Sequence, residues 1–293
     1  MNHAILRDEA DYAQRDIRIL RRNGLAPAPQ RGLLRDLLEL VGVDTDGAAG
    51  PVLDTPLALW NVREGATLLL EGADATSLYL VRSGSLKCVR TLEDGYEQVV
   101  ALAQIGELLG AEALHGGQQP ASVVALEDST VYALPVRDLP RLRTHSALLD
   151  VALQRALSRQ LVRAAETTAM TAAVASDVRV ARFLIWLSGR MAEIGQSPRR
   201  LLLRMGRRDI ASLLCVAHET VSRAFTTLSD NGHLEVDRRA VVILDIDRLR
   251  VFARCTRGVA LDGARARPLD AAAAQRLPVA WFSGLSPLEP APS

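Results

Sequence analysis

The sequence predicts an α+β protein in three pieces: an N-terminal β-roll, one long central helix and a C-terminal winged helix-turn-helix. Three observations carry this. Between Leu57 and Leu134, short β-prone runs alternate with glycine turns at a spacing of roughly 8–12 residues. From about Ser146 to Met170 the chain has no Gly and no Pro. Arg207 to Asp245 then reads as helix, short turn, helix and hairpin.

In chain order, residues 1–41 read as helical. Ile5, Ile17, Ile19 and Leu20 sit among charges, and Leu33, Leu34, Leu37, Leu38 and Val41 recur at helical spacing. Asn23-Gly24 and Pro27-Ala28-Pro29 interrupt the pattern. Gly42 to Pro56 has the composition of a loop, so residues 1–56 form a helical extension and linker. Residues 57–142 form the β-roll, with runs TLLLEG, SLYLVRSG, SLKCVR, EQVVAL, ASVVAL and STVYAL, and with Asp94-Gly95 as a hairpin turn.

Residues 143–172 form the long helix. Leu149, Leu153, Leu157 and Leu161 make an i, i+4 ridge flanked by small alanines, which lets a second helix approach closely. A helix of about 25 residues runs roughly 37 Å, more than one small β domain covers, so the ridge is expected to be a homodimer seam. The winged helix-turn-helix occupies residues 173–257, and residues 258–293, rich in Ala and Pro, read as a flexible tail anchored at Val279–Phe282.

Composition narrows the function. The net charge of +1 is a cancellation. Residues 1–170 hold 17 basic and 22 acidic side chains, whereas residues 171–260 hold 15 and 9. The basic half is the one suited to a polyanion. Cys88, Cys215 and Cys255 form neither a disulfide framework nor a CxxC motif. There is no apolar run of about 18 residues and no secretory-type N-terminus, so a cytoplasmic protein that does not span a membrane is expected. No GxSxG, P-loop, HExxH or GxGxxG context occurs, so no catalytic activity is expected.

Within the C-terminal piece, Glu219 to Asp230 buries Val221, Ala224, Phe225 and Leu228 and leaves Glu219, Thr220, Ser222 and Arg223 on the outer N-terminal face. A recognition helix presents such residues to the major groove. Arg223 can donate two bonds to guanine, Glu219 can accept from cytosine N4, and Ser222 can reach a base edge. Arg207, Arg208, His218, Thr220, Arg238 and Arg239 flank them as backbone contacts.

Taken together, the glycine-punctuated roll REGATLLLEGADATSLYLVRSGSLK, the GELLG turn at Gly106–Gly110, the long helix and the HETVSR of the winged helix resemble the Crp/Fnr family of bacterial transcription regulators, over about residues 57–257. The resemblance implies a cyclic-nucleotide-binding-like β-roll, a homodimer joined by the central helix, and palindromic double-stranded DNA as partner, with RNA polymerase recruited or blocked. HETVSR is similar to the Fnr branch, implying TTGAT half-sites; His218 stands where Crp proteins have arginine.

The sensor differs from both branches. Crp-type proteins bind cyclic AMP with a glutamate after the glycine turn and an arginine beside a serine; here Ala111 takes the first place and Pro120-Ala121-Ser122 lacks the arginine. Fnr itself holds a [4Fe–4S] cluster on four cysteines; residues 1–56 have none, and Tyr132 stands at the roll position. Neither cofactor is expected. Nor is haem, because His115 and His145 stand isolated. An unknown small effector stays open, as does oxidation of Cys215, which lies in the helix-turn-helix turn where relatives often have glycine. The alternatives are a cyclic-nucleotide or other small-ligand-responsive regulator, and a ligand-binding module without DNA affinity.

Overall fold

The computed structural model describes residues 25–28, 31–45, 53–173 and 175–254. Two compact units divide the chain, Met1–Thr167 and Thr168–Ser293. Residues 1–24, the middle of the linker, Cys255 and the tail lie outside the described residues, as does what was expected of them.

The first unit begins with β1 (Leu25–Pro27), β2 (Gly32–Leu33) and α1 (Leu34–Leu40). Strands β3 (Pro56–Val62), β4 (Thr67–Leu69), β5 (Ser77–Ser83), β6 (Leu86–Thr91), β7 (Glu97–Ala103) and β8 (Leu108–Leu109) follow. Then come α2 (Ala113–Gly116), β9 (Ser122–Ala125), β10 (Ser129–Pro135), α3 (Leu139–His145) and α4 (Ala147–Thr171). One sheet runs β1-β3-β10-β5-β8, with β2 also on β3; the other runs β4-β9-β6-β7.

The first sheet is covered on both faces, and the alternation of its side chains shows how. Leu78 and Leu80 of β5, with Tyr132 and Leu134 of β10, point to a core shared with α1, α3 and the start of α4. Tyr79, Val81, Val131 and Ala133 point the other way, into a core that takes in Leu86, Val123 and Ala125 of the second sheet. A strand buried on both faces loses polar alternation, so β5 reads as a continuous apolar run. The second sheet is less completely covered: β6 and β7 mix buried residues with partly exposed ones, and Arg90, Thr91 and Glu97 are exposed. The expected Asp94-Gly95 hairpin joins β6 to β7. Gly95 has φ +80°, and the Tyr96 N–H donates to Asp94 Oδ1 at 3.0 Å.

Helix over residues 1–41 is corrected in the described part. Leu25–Pro27 and Gly32–Leu33 are strands paired to β3, and only Leu34–Leu40 is helical. The open edge of β3 supplies hydrogen bonds that these residues cannot make alone, and Pro27, lacking an N–H, is tolerated because β1 is an edge strand. Gly32 is needed for packing: a Cβ there would lie 2.2 Å from the buried Tyr132 ring.

The leucine ridge of α4 is divided. Leu149 is fully buried in its own unit's core with Ala152 and Ala156, and Leu153 packs partly against it. Leu157, Leu161 and Val162 are exposed. Leu149 therefore serves the sensor core and not a seam. The reason is geometric: at 3.6 residues per turn, an i, i+4 row drifts about 40° per step, so its two ends face different directions. Arginines on α4 hold it to the roll. Arg159 donates to the Gly106 carbonyl at 3.3 Å, and Arg163 pairs with Glu107 at 3.3 Å.

The second unit contains α5 (Ser176–Glu193), β11 (Arg200–Leu202), α6 (Arg207–Leu213), α7 (His218–Asp230), β12 (Leu234–Asp237), β13 (Ala240–Ile243) and α8 (Ile246–Arg254). Its sheet has the order β11-β13-β12. The expected order of helix, short turn, helix and hairpin between Arg207 and Asp245 is present, and the second helix begins one residue before the expected Glu219. β11 and α8 were not foreseen: RLL is too short to read as a strand. α8 did carry a signal in Asp245, whose Oδ1 accepts the N–H groups of Asp247 and Arg248 at 3.0 Å as an N-cap. Among the described residues, no helix is long and apolar enough to cross a membrane.

Candidate nucleic-acid interface

The helix-turn-helix is α6, the turn Leu214–Ala217 and α7. Val221, Ala224, Phe225 and Leu228 recur at i, i+3, i+4 and i+7, and all four are buried. That spacing fixes the rotation of α7 and turns His218, Glu219, Ser222, Arg223, Thr226 and Thr227 to solvent, with Thr220 half-exposed. The three candidate base readers thus share the exposed N-terminal half of one helix. Ser222 Oγ bonds back to the His218 carbonyl at 3.4 Å, and Thr227 Oγ1 to that of Arg223 at 3.0 Å. His218 Nδ1 lies 4.0 Å from Glu219 Oε1, both side chains being open to water. Among the described residues, no hydrogen bond joins Glu219 to Arg223.

The flanking arginines separate into two kinds. Arg208, Arg238 and Arg239 are exposed. Arg207 is put to another use: its guanidinium lies 3.4 Å from the centroid of the Phe225 ring, and burial pushes its pKa down. Its planar face stacks α6 onto α7, a cation–π contact made within the motif. Arg207, expected among the phosphate contacts, stacks on a ring across the turn that is invisible in sequence spacing.

Among the described residues, two non-glycine residues hold a left-handed backbone, Cys215 at φ +52° and Arg238 at φ +51°. Glycine is the easy residue at such positions, so Cys215 holds its place in the turn at some cost in backbone strain. Arg238 occupies the tip of the β12–β13 hairpin. Arg238→Gly is expected to relieve about 1 kcal/mol of strain, offset by greater freedom of the unfolded chain. Stability should stay nearly unchanged while the slope of log K against log salt for DNA drops by about one. Titration of binding at several salt concentrations measures both the affinity and that slope.

The two described cysteines differ in chemistry. Burial, with Glu112 and Glu107 nearby, pushes the Cys88 thiol up to about 12, so it stays protonated and a poor metal or redox ligand at neutral pH. Cys215 is exposed.

His233 is buried where α7, β12 and α8 meet, its ring centroid 5.2 Å from that of Phe252. Burial lowers its pKa, the Arg248 charge adds to this, and Asp245 opposes it. A histidine depressed in the folded state stabilises fully above its ordinary pKa, near 6.5. That contribution is lost as pH falls below that value and through the folded one. The second unit should therefore melt at falling temperatures as pH drops below about 6.5, and His233→Phe should flatten the slope. Calorimetry across that pH range reads the difference; identical slopes would remove His233 from the account.

Comparisons with known proteins agree with this geometry. A family model described as Cyclic nucleotide-binding domain matches residues 59–146, and one described as Crp-like helix-turn-helix domain matches residues 178–252. The Transcriptional regulatory protein btr of Bordetella pertussis is 32% identical over 189 residues, covering 64% of this chain and 78% of that protein. The Fumarate and nitrate reduction regulatory protein of Escherichia coli K12 is 32% identical over 199 residues, covering 68% and 80%. Among solved structures, FixK2 from Bradyrhizobium japonicum superposes with a TM-score of 0.59 at 24% identity, covering 70% of this chain and 98% of that one. That last likeness speaks to the fold.

Proposed function

The chain belongs to the Crp/Fnr family of DNA-binding transcription regulators, and from that premise we propose that it binds a palindromic site of TTGAT half-sites as a homodimer, answering to a signal other than an Fnr-type iron–sulfur cluster. The observation that carries the reading is the exposed triplet Glu219, Ser222 and Arg223 on the N-terminal half of α7. Arg223 has the fork for guanine and Glu219 the acceptor for cytosine. Two copies of α7 in successive major grooves would read the two halves of the palindrome.

The dimer seam is formed by Leu157, Leu161 and Val162, which are among the exposed apolar residues of α4. RNA polymerase is the partner that the bound dimer recruits or blocks. A [4Fe–4S] cluster does not fit the described residues: Cys88 holds its proton, and Tyr132 is buried as a core residue at the roll position. Cyclic AMP fits poorly because Pro120-Ala121-Ser122 brings no cation to its phosphate. A second reading, a regulator responding to a small neutral ligand, has one observation in its favour. Gln119 is 3% exposed, and its Nε2 is a buried donor without a hydrogen-bond partner among the described residues.

A gel-shift at moderate salt tests the main reading, using a duplex in which TTGAT and ATCAA are separated by four base pairs. Tight binding and a loss on scrambling the half-sites are expected. Equal affinity for scrambled DNA would eliminate the half-site assignment.

A further inference from the structure

We propose that Arg179 and Arg182 are positioning residues that tie the C-terminal end of the long helix to the DNA-reading module, so that a shift of that end is delivered to the helix-turn-helix turn. The proposal rests on DNA binding by the winged helix and not on the half-site sequence or the dimer.

The two arginines lie three residues apart on α5, and so on one face. Arg182 Nη1 donates to the Ala169 carbonyl at 2.9 Å, and its Nε donates to the Ala253 carbonyl at 2.9 Å. Arg179 Nε donates to the Ala173 carbonyl at 2.7 Å. Its Nη1 is shared between the carbonyls of Leu214, at 2.9 Å, and Cys215, at 3.1 Å. All five carbonyls stand at or just beyond a helix C-terminus: Ala169 and Ala173 for α4, Leu214 and Cys215 for α6, Ala253 for α8. The last four carbonyls of a helix have no partner within it, and that end carries a partial negative charge. A guanidinium satisfies both needs, and its fork reaches two carbonyls at once.

Each arginine therefore spans from the end of α4 to a different element of the winged helix. Arg179 clasps the turn where Cys215 holds its left-handed conformation, and Arg182 clasps α8. Burial depresses the Arg182 pKa. Four helices thus meet on two side chains. Neither residue was singled out by sequence, because α5 reads there as an ordinary amphipathic helix.

The test uses the full chain and the variants Arg179→Lys and Arg182→Lys, which keep a cation and an aliphatic stem but lose the fork. Hydrogen exchange is measured with and without duplex DNA at low salt, where binding needs no particular sequence. In the unmutated protein, DNA is expected to slow exchange at the amides from Ala169 to Ala173 as well as in α7. Coupling is reciprocal, so what passes from helix to turn must also pass back. In the variants, protection of α7 should persist while protection of the α4 end is lost. DNA affinity should fall about tenfold, within the usual range for coupled sites, with an unchanged salt slope because no phosphate contact is removed. A residue serving folding alone would lower the melting temperature and leave the transmitted protection intact. Absence of DNA-induced protection at Ala169–Ala173 in the unmutated protein, or its persistence in both lysine variants, would overturn the proposal. A failure of the half-site reading shows elsewhere, as equal affinity of the unmutated protein for scrambled DNA.

Discussion

Arg223→Ala is expected to remove most of the discrimination at one base pair of each half-site, a loss of about 1–3 kcal/mol or roughly 5- to 150-fold. The side chain is exposed on α7, one turn from its start, with the buried Ala224 and Phe225 fixing the helix beneath it. Truncation should leave the fold intact, since the removed atoms make no core contact. Competition gel-shifts at fixed salt, with each base pair of TTGAT varied in turn, give the answer. The expected pattern is a flattened preference at the guanine-bearing position and little change elsewhere. Uniform weakening across all duplexes would make Arg223 a phosphate contact. Glu219→Ala provides the comparison, with a smaller expected effect and a preference relaxed at a cytosine.

Phe225→Ala is expected to be the most damaging single change to the DNA-reading module, costing about 3–5 kcal/mol. The ring is 3% exposed, and it carries Arg207 on its face. Its removal leaves a cavity between α6 and α7 and a half-buried guanidinium without its aromatic partner. Against a typical domain stability of about 5–15 kcal/mol, that is a large share. Calorimetry of the full chain should show the transition of the C-terminal unit moving down while that of the N-terminal unit stays in place. Arg207→Ala should reproduce part of the shift with little effect on the salt slope of DNA binding. A large change of slope without loss of stability would restore Arg207 as a phosphate contact.

What could be read from the sequence follows from where burial is one-sided or complete. α7 was legible because one face is buried and Val221, Ala224, Phe225 and Leu228 mark it at helical spacing. β5 and β10 were legible because burial on both faces leaves uninterrupted apolar runs. β1 and β2 were not, since three and two residues gain their conformation from the edge of β3 and carry no period of their own. The leucine ridge of α4 reads as one surface, but a four-residue repeat winds around a straight helix, so Leu149 is buried while Leu157 and Leu161 are exposed. Arg207 reads as a phosphate contact because a basic residue beside a recognition helix has that meaning by default; its contact with the Phe225 ring across the turn leaves no mark in the sequence. Arg179 and Arg182 escaped notice because their partners are backbone carbonyls, which no sequence pattern marks.

The doubly covered sheet also bears on how this protein can diversify. Four successive residues of β5, Leu78 to Val81, are buried, so nearly any polar or charged replacement there is eliminated by loss of the fold. In the second sheet, Arg90, Thr91 and Glu97 face water and can drift. In a library of random variants selected for folding alone, substitutions should accumulate on that outer sheet and be nearly absent from β5 and β10. The roll would then carry a conserved half that keeps its shape and a variable half free to acquire new surface chemistry.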